Sequence, residues 1–290
     1  MNRGLLEGLS NFTILLTFAS CLFGFDATGT PGALKWQKPF STPIFGAPAM
    51  TMNGDLLLGT SDGTLCCIAA NGYKKWNFTT PGIVYGTPAV ADDGAIYFGS
   101  EQLYALNADG TERWKFQLTP YANYIACTED PALGPDGAVY VARQYAPGGS
   151  GRLHAINPDG TRRWITSGGF IGEVIVATDG SLLAATEYSF ACVNPDGVIR
   201  WTIESHVLGS AAVMTNGTVV IPINGYDYRE GAVQAVTPQG SNLWRFAGNA
   251  QAVGSPIIGP DGTVYYGFDN GRLVALDSLG GLKWEYKMTG

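Results

Sequence analysis

The sequence predicts an all-β chain, folded as a β-propeller of four-stranded antiparallel blades. The seven tryptophans recur at spacings of 37 to 50 residues, and periods near forty are typical of stacked four-stranded units. Each unit contains short runs rich in Val, Ile, Leu, Tyr and Trp, and Asp-Gly or Gly-Gly turns separate many of these runs. After the N-terminal segment, no run shows the 3.6-residue apolar period of a helix.

The N-terminal segment differs from the rest of the chain. It has no charged residue between Glu7 and Asp26, and the stretch "FTILLTFASCLFGF" within it is almost wholly apolar. This length suits the apolar region of a secretory signal better than a membrane span. The tetrapeptide "FASC", which ends at Cys21, resembles a bacterial lipobox. We therefore expect residues 1–29 to be a signal peptide or lipoprotein-type segment, and residues 30–290 to be the propeller. The other interpretation is an apolar segment that packs against the domain.

The charge of the chain excludes some classes of partner. The formal net charge is -7, whereas nucleic-acid binding depends on Lys and Arg that neutralise phosphates. The sequence has no basic run that could bind a membrane surface. Membrane contact is therefore expected only through a lipid anchor at Cys21. We expect a monomer that is periplasmic, at the cell surface or secreted.

The repeat is seen most clearly in its last copy, residues 255–286. This copy reads as the runs "PIIG", "TVYYG", "RLVALD" and "LKWEY". A lone four-stranded sheet cannot bury both of its faces, so such a unit must be repeated. Six complete units are predicted, preceded by one extra outer strand, "ALKWQ". The closed form would have six to eight blades, and a chain that is a fragment of a longer propeller is the alternative.

One motif recurs in all six complete units: a small residue, Ala or Cys, then Gly five residues later and Trp four residues after that. The Gly permits the positive φ of a tight hairpin, and the Trp supplies a large apolar body for the contact between blades. We predict a structural docking role, with the ring largely buried, for all the tryptophans: Trp36, Trp76, Trp114, Trp164, Trp201, Trp244 and Trp284.

The motif "ALDSLGGLKWEY" and its copies resemble the tryptophan-docking repeat of pyrroloquinoline-quinone-like (PQQ-like) propellers. The resemblance extends over residues 32–290 and implies the propeller fold. It does not imply one activity, because this family includes quinone-dependent alcohol dehydrogenases, a lipoprotein scaffold of the outer-membrane assembly machine and many binding modules.

Two of the four connections in each unit vary in length, and they predict the binding face. The first hairpin and the hairpin before each Trp are constant, whereas the second-to-third and fourth-to-first connections differ between units. In an up-and-down sheet these variable connections lie at one end, and variable loops on a rigid scaffold usually carry function. The longest ones, in the third and fifth units, contain the predicted recognition residues: Tyr121, Tyr124, Glu129, Asp130, Arg143, Tyr145, Tyr226, Asp227, Tyr228 and Arg229.

Catalytic alternatives have weaker support. The adjacent Cys66 and Cys67 are similar to the cysteine pair of some quinone-dependent dehydrogenases, but Cys67 occupies the small-residue position of the repeat, which favours a buried thiol. Two histidines disfavour a His-based metal site, and the recurring "PDG" is explained by turn chemistry. We therefore expect a non-catalytic binding or scaffold propeller with a protein or carbohydrate ligand, no metal and no cofactor. The alternative is a quinoprotein dehydrogenase with PQQ and calcium.

Overall fold

The structure, a computed structural model, describes residues 21–25, 34–118, 130–143, 151–186, 188–206, 209–225 and 230–288. In this part of the chain every regular element is a β-strand, and no helix has the length and apolarity of a membrane span. The strands form six four-stranded antiparallel sheets and one two-stranded sheet. The predicted all-β class and the six complete repeats are therefore confirmed.

The chain divides into two compact units: unit 1 comprises residues 1–131 and 158–161, and unit 2 comprises residues 132–157 and 162–290. The strands of unit 1 are β1 (Cys21–Phe25), β2 (Leu34–Pro39), β3 (Ala49–Met50), β4 (Leu56–Gly59), β5 (Thr64–Ile68), β6 (Lys74–Thr79), β7 (Ala89–Val90), β8 (Ile96–Gly99), β9 (Leu103–Leu106) and β10 (Glu112–Phe116). Strands β3–β6 and β7–β10 form two four-stranded sheets, and β1 pairs with β2.

Unit 2 contains four four-stranded sheets in chain order. Their strands are β11 (Ala132–Leu133), β12 (Val139–Arg143), β13 (Arg152–Ile156) and β14 (Arg162–Ser167); β15 (Phe170–Val176), β16 (Leu182–Thr186), β17 (Ser189–Val193) and β18 (Ile199–Glu204); β19 (Ala212–Val213), β20 (Val219–Ile223), β21 (Ala232–Val236) and β22 (Asn242–Ala247); and β23 (Ile257–Ile258), β24 (Val264–Gly267), β25 (Arg272–Leu276) and β26 (Leu282–Lys287).

The N-terminal strand pair is a difference from the prediction of one extra outer strand. Strand β1 pairs antiparallel with β2, with Leu22 opposite Lys38. The strand β1 falls within the segment that the sequence predicts to be a signal peptide or lipoprotein-type segment. That assignment of residues 1–29 stays a prediction.

The first strand of the β15–β18 sheet is unusually long. It has seven residues, whereas the first strand of each other four-stranded sheet has two. A β-bulge shifts its register between Ile171 and Val174, and Gly172 within the bulge has a φ of +73°. A bulge of this kind lets a strand bend while it keeps pairing.

The recurring motif forms the hairpin between the third and fourth strands of each sheet. The small residue pairs directly with the Trp across this hairpin in every four-stranded sheet: Cys67 with Trp76, Ala105 with Trp114, Ala155 with Trp164, Cys192 with Trp201, Ala235 with Trp244, and Ala275 with Trp284. A small side chain beside the indole leaves the ring free to lie against the next sheet.

The motif glycine has a second role beyond its turn conformation. Gly197 has a φ of +90°, and a Cβ built on it would lie 2.8 Å from Cδ2 of Trp164 in the preceding sheet. The indole Nε1 of Trp164 also donates a hydrogen bond to the Pro195 carbonyl at 2.8 Å. The other bonds of this type join Trp36 to Ala70, Trp76 to Ala108, Trp114 to Pro158, Trp201 to Pro238, and Trp244 to Ser278. Each such Trp therefore joins a sheet to the next hairpin.

The last tryptophan departs from this pattern. Trp284 is 44% exposed, and its ring lies against Tyr265 of its own sheet, with 6.0 Å between the ring centroids. The expectation that all seven tryptophans are largely buried is wrong for this residue. The other six rings are partly buried.

The aspartates of the first hairpins explain why "PDG" recurs. Asp136 accepts a hydrogen bond from the backbone N–H of Ala138 at 3.2 Å through one carboxylate oxygen, and its other oxygen pairs with Arg163 at 2.5 Å. The same pairing joins Asp55 to Lys75, Asp93 to Arg113, Asp179 to Arg200, and Asp261 to Lys283. These carboxylates stabilise turns and link strands within a sheet.

Candidate functional site

The predicted recognition residues fall mainly outside the described part of the chain. Asp130 and Arg143 are described, and the remaining eight lie outside it: Tyr121, Tyr124, Glu129, Tyr145, Tyr226, Asp227, Tyr228 and Arg229. Their role in binding stays a prediction.

The structure gives Asp130 and Arg143 particular surroundings. In unit 1, Oδ1 of Asp130 accepts a hydrogen bond from the backbone N–H of Thr87 at 2.7 Å, so this carboxylate is bound to the backbone just before β7. In unit 2, Arg143 ends β12 and is only 2% exposed. Its Nε and Nη1 have no hydrogen-bond partner among the described residues. Neither side chain is a freely exposed contact residue.

The sheets β15–β18 and β19–β22 of unit 2 enclose a cavity of about 540 Å³. Its lining comprises Tyr188, Glu204, Ser205, His206, Asn224 and Gly225. These residues belong to the connection between β16 and β17, the segment where β18 ends, and the start of the connection between β20 and β21. We call this end of the unit 2 sheets the variable face, because its connections are the ones whose lengths differ. A volume of this size lies in the range of ligand-binding pockets.

A buried amide holds the walls of the cavity together. Asn224 is 3% exposed, and its Nδ2 donates to the carbonyl oxygens of His206 at 3.0 Å and Ala252 at 2.9 Å. Its Oδ1 accepts from the backbone N–H of Ala252 at 2.8 Å, and its own N–H donates to Ser205 Oγ at 3.2 Å. The amide therefore connects three segments of the chain, and its hydrogen bonds are satisfied without a ligand. Such bonds fix a binding site before the ligand arrives.

Two aromatic side chains form one wall. The rings of Tyr188 and His206 are nearly perpendicular, at 89°, with centroids 5.6 Å apart. Tyr188 is 59% exposed, while its carbonyl oxygen accepts a hydrogen bond from the Ser205 N–H at 3.1 Å. The backbone of Tyr188 is thus anchored while its side chain is open to solvent.

A carboxylate lies beside this aromatic wall. Glu204 is the last residue of β18 and is paired in register with Ser189, the neighbour of Tyr188. The Glu204 side chain is exposed. Its carboxylate takes part in none of the ion pairs formed by the described residues. The cavity therefore combines an accessible ring with a carboxylate that no described residue neutralises.

Sequence reasoning missed these residues because it followed loop length. The connection that carries Tyr188 is short, whereas the prediction followed the longest connections, which are in the third and fifth units. Tyr188 lies in a different connection from Glu204 and His206, which belong to the segment where β18 ends, and no spacing in the sequence joins the two segments. The available signal was an aromatic residue in a very short turn, where small turn residues are more usual.

The cysteine pair offers no cofactor site. Cys66 packs with Ile44 and Leu58, whereas Cys67 packs with Leu57 and Val84. Successive side chains of a strand point to opposite faces, so the two thiols do not present a common surface. Both are free and buried, and burial is the main cause that raises the pKa of Cys67 to about 11. Among the described residues, no cluster of three or more His, Cys, Asp or Glu could hold a metal ion. The described residues therefore do not fit a quinone with calcium.

Comparison with solved structures shows the fold. The chain is similar to BamB from Moraxella catarrhalis, with 18% identity, a TM-score of 0.69, and coverage of 93% of this chain and 83% of that one. It is also similar to a europium-containing methanol dehydrogenase, with 15% identity, a TM-score of 0.72, and coverage of 92% and 75%. The C-terminal WD40 domain of Sif2 aligns with 16% identity, a TM-score of 0.67, and coverage of 89% and 76%. At these identities the likeness establishes a β-propeller and not an activity.

Comparison of the sequence with known families identifies the repeat. No curated protein matches the chain. A family profile described as outer membrane protein assembly factor BamB matches residues 24–168, 99–227 and 149–290. These overlapping matches extend over almost the whole chain, as expected of a repeat. The protein therefore belongs to this PQQ-like repeat family of β-propellers.

Proposed function

We propose that the protein is a non-catalytic binding scaffold of the cell envelope, which recognises a protein ligand through the variable face of unit 2. The observation that carries this proposal is the cavity at Tyr188, where a satisfied hydrogen-bond network supports an exposed ring. Tyrosine is enriched at protein interfaces because a large, rigid ring contributes much contact area at a small entropic cost.

The family supports a protein ligand and an envelope location. Its profile is described as an assembly factor for outer membrane proteins, and assembly requires contact with other proteins. An N-terminal export signal, with or without a lipid at Cys21, would deliver the propeller to the periplasm or the cell surface. Under this proposal the domain is the part of the chain that binds, and the segment before it only directs its location.

The chemistry of the cavity favours recognition over catalysis. Ser205 is 5% exposed, and its hydroxyl oxygen accepts a hydrogen bond from the Asn224 backbone. The His206 ring meets Tyr188 in an aromatic contact. A nucleophile must lie within hydrogen-bond reach of its base and be open to the substrate. The lining residues offer an open ring and a carboxylate instead.

Site-specific photo-crosslinking tests the proposal. A photoreactive amino acid replaces Tyr188 in one variant, and in the matched control it replaces Asp196, an exposed residue of the constant hairpin between β17 and β18. We expect a discrete protein adduct from position 188 in cells of the native host, and none from position 196. Equal adducts at both positions, or none at position 188, contradict the proposed binding face. Binding of an oligosaccharide at position 188 without a protein adduct contradicts a protein ligand.

Cell fractionation tests the location. The full-length chain should be recovered with the periplasm or the membranes. Replacement of Cys21 by Ser distinguishes a lipid anchor from a cleaved signal, because loss of lipid should move the protein from the membrane to the soluble envelope fraction. Recovery of both forms in the cytoplasm contradicts the envelope location.

A further inference from the structure

We infer that the cavity at Tyr188 receives a basic side chain, the guanidinium or ammonium group of an Arg or Lys on the partner protein. The inference rests on the proposed function and adds the chemistry of the contact. It follows from the charge at the cavity, the accessible ring and the fixed shape of the walls.

The charge at the cavity is negative. Among the residues that the structure describes, the lining contains Glu204 and no Lys or Arg. At the constant hairpins, by contrast, aspartates such as Asp136 and Asp179 are neutralised by cations on the neighbouring outer strand. Glu204 has no such cation among the described residues. An approaching cation gains Coulomb energy there, and an approaching anion is repelled.

The aromatic wall favours the same kind of group. A cation is attracted to the face of a tyrosine ring when it lies within about 6 Å of the centroid. Tyr188 is 59% exposed, so part of its ring is open to such a contact. Glu204 ends β18 opposite Ser189, the residue after Tyr188. Tyr188 and Glu204 line the same cavity, so one side chain can touch the ring with its apolar stem and the carboxylate with its charged end, as Lys and Arg do elsewhere.

The fixed walls favour a segment of a protein over a small free amine. The cavity of about 540 Å³ is larger than one methylammonium or methylguanidinium group would fill. The side-chain amide of Asn224 is already hydrogen-bonded to His206 and Ala252, and its backbone N–H donates to Ser205 Oγ, so little reorganisation is needed to bind. A side chain carried on a peptide backbone would fill the cavity and contact its rim.

Short peptides test the charge preference directly. The probes are acetylated and amidated tripeptides, Gly-X-Gly, in which X is Arg, Lys, citrulline or Glu. Backbone amide signals of the described segments 188–189 and 204–206 are followed by NMR. We expect saturable shifts with Arg and Lys and none with Glu. Citrulline, which has nearly the same shape as Arg without its charge, should bind at least about tenfold more weakly, because hydrogen bonds to charged groups are stronger than those between neutral groups. Equal binding of citrulline and Arg overturns the inference.

The variant Glu204→Gln tests the residue. It should weaken binding of the Arg peptide about tenfold or more, whereas the matched exposed variant Asp196→Asn should leave it unchanged. Added salt should weaken binding to the wild type more than to Glu204→Gln. Equal affinities of methylguanidinium and the Arg peptide would show a small cation as the ligand and overturn the assignment to a protein segment.

The same variants separate this inference from the proposed function. If the position-188 adduct persists unchanged in the Glu204→Gln protein, the binding face stands and the preference for a basic side chain is wrong. If the adduct is absent in the wild-type background, the proposed function is wrong whatever the tripeptides do. Loss of the adduct in Glu204→Gln, with normal folding by circular dichroism, supports both.

Discussion

Protonation of His154 should account for a substantial share of the acid sensitivity of this protein. His154 lies in β13 and is fully buried. Burial, followed by the charges of Arg162, Arg152 and Arg143, lowers its pKa from 6.5 to about 4. The unfolded chain therefore binds a proton at a higher pH than the folded chain does. The stability contributed by neutral His154 is complete above about pH 6.5 and is lost as the pH falls towards 4. A difference of this size corresponds to about 3 kcal/mol.

The assay is the free energy of unfolding in urea, measured between pH 7.5 and about 4.5 for the wild type and for His154→Leu. Protonation of carboxylates affects both proteins, so the difference between their curves isolates the buried imidazole. The wild type should lose about 2–3 kcal/mol more than the variant across this range. Parallel curves for the wild type and His154→Leu would refute the reasoning.

Four substitutions test three other features of the structure, each by urea unfolding. Trp164→Ala should lower the free energy of unfolding by about 4 kcal/mol, because a docked aromatic ring buries roughly 150 Å² at about 25 cal/mol per Å². Trp284→Ala should lower it by about half as much, because Trp284 is 44% exposed. Equal losses would contradict the docking. Arg143→Met should be neutral or stabilising by about 1–4 kcal/mol, because it removes a buried guanidinium whose Nε and Nη1 have no hydrogen-bond partner among the described residues. A clear loss of stability would mean that the charge is compensated. Asn224→Ala should lower the free energy of unfolding by about 2–3 kcal/mol. It should also speed hydrogen exchange at the Ala252 amide, which donates to Asn224 Oδ1. Unchanged exchange there would rule out Asn224 as the link to Ala252.

The strand pattern and the hairpins could be predicted from the sequence because they depend on local chemistry. Asp-Gly turns, β-branched runs and a motif with fixed intervals act over a few residues, so they read the same in every copy. The small residue that precedes each Trp by nine positions pairs with it across one hairpin, as with Ala155 and Trp164. Such pairings need no knowledge of distant parts of the chain.

Several features depended on neighbours that are distant in sequence. The sequence explains Gly197 by the positive φ of its turn. The structure adds a second reason, because the indole of Trp164 from the preceding sheet lies where a Cβ on residue 197 would be. The burial of Arg143 is also a tertiary effect, because the residues around a strand end determine whether its side chain reaches water. The length of the adjoining connection led to the prediction that Arg143 contacts a ligand. Its side chain is instead buried, at 2% exposure.

The sequence by itself determined that this protein is a repeat of four-stranded sheets, and it predicted that binding takes place at the end with variable connections. Only the tertiary structure brought Tyr188, Glu204 and Asn224 to one cavity. These residues come from three separate segments, which are joined by the hydrogen bond from the Ser205 N–H to the Tyr188 carbonyl and by the bond from Asn224 to the His206 carbonyl. A repeating hydrophobic pattern fixes how strands pair, because every copy must bury the same faces. It carries no information on which polar residues of different copies meet, since that depends on how adjacent sheets pack.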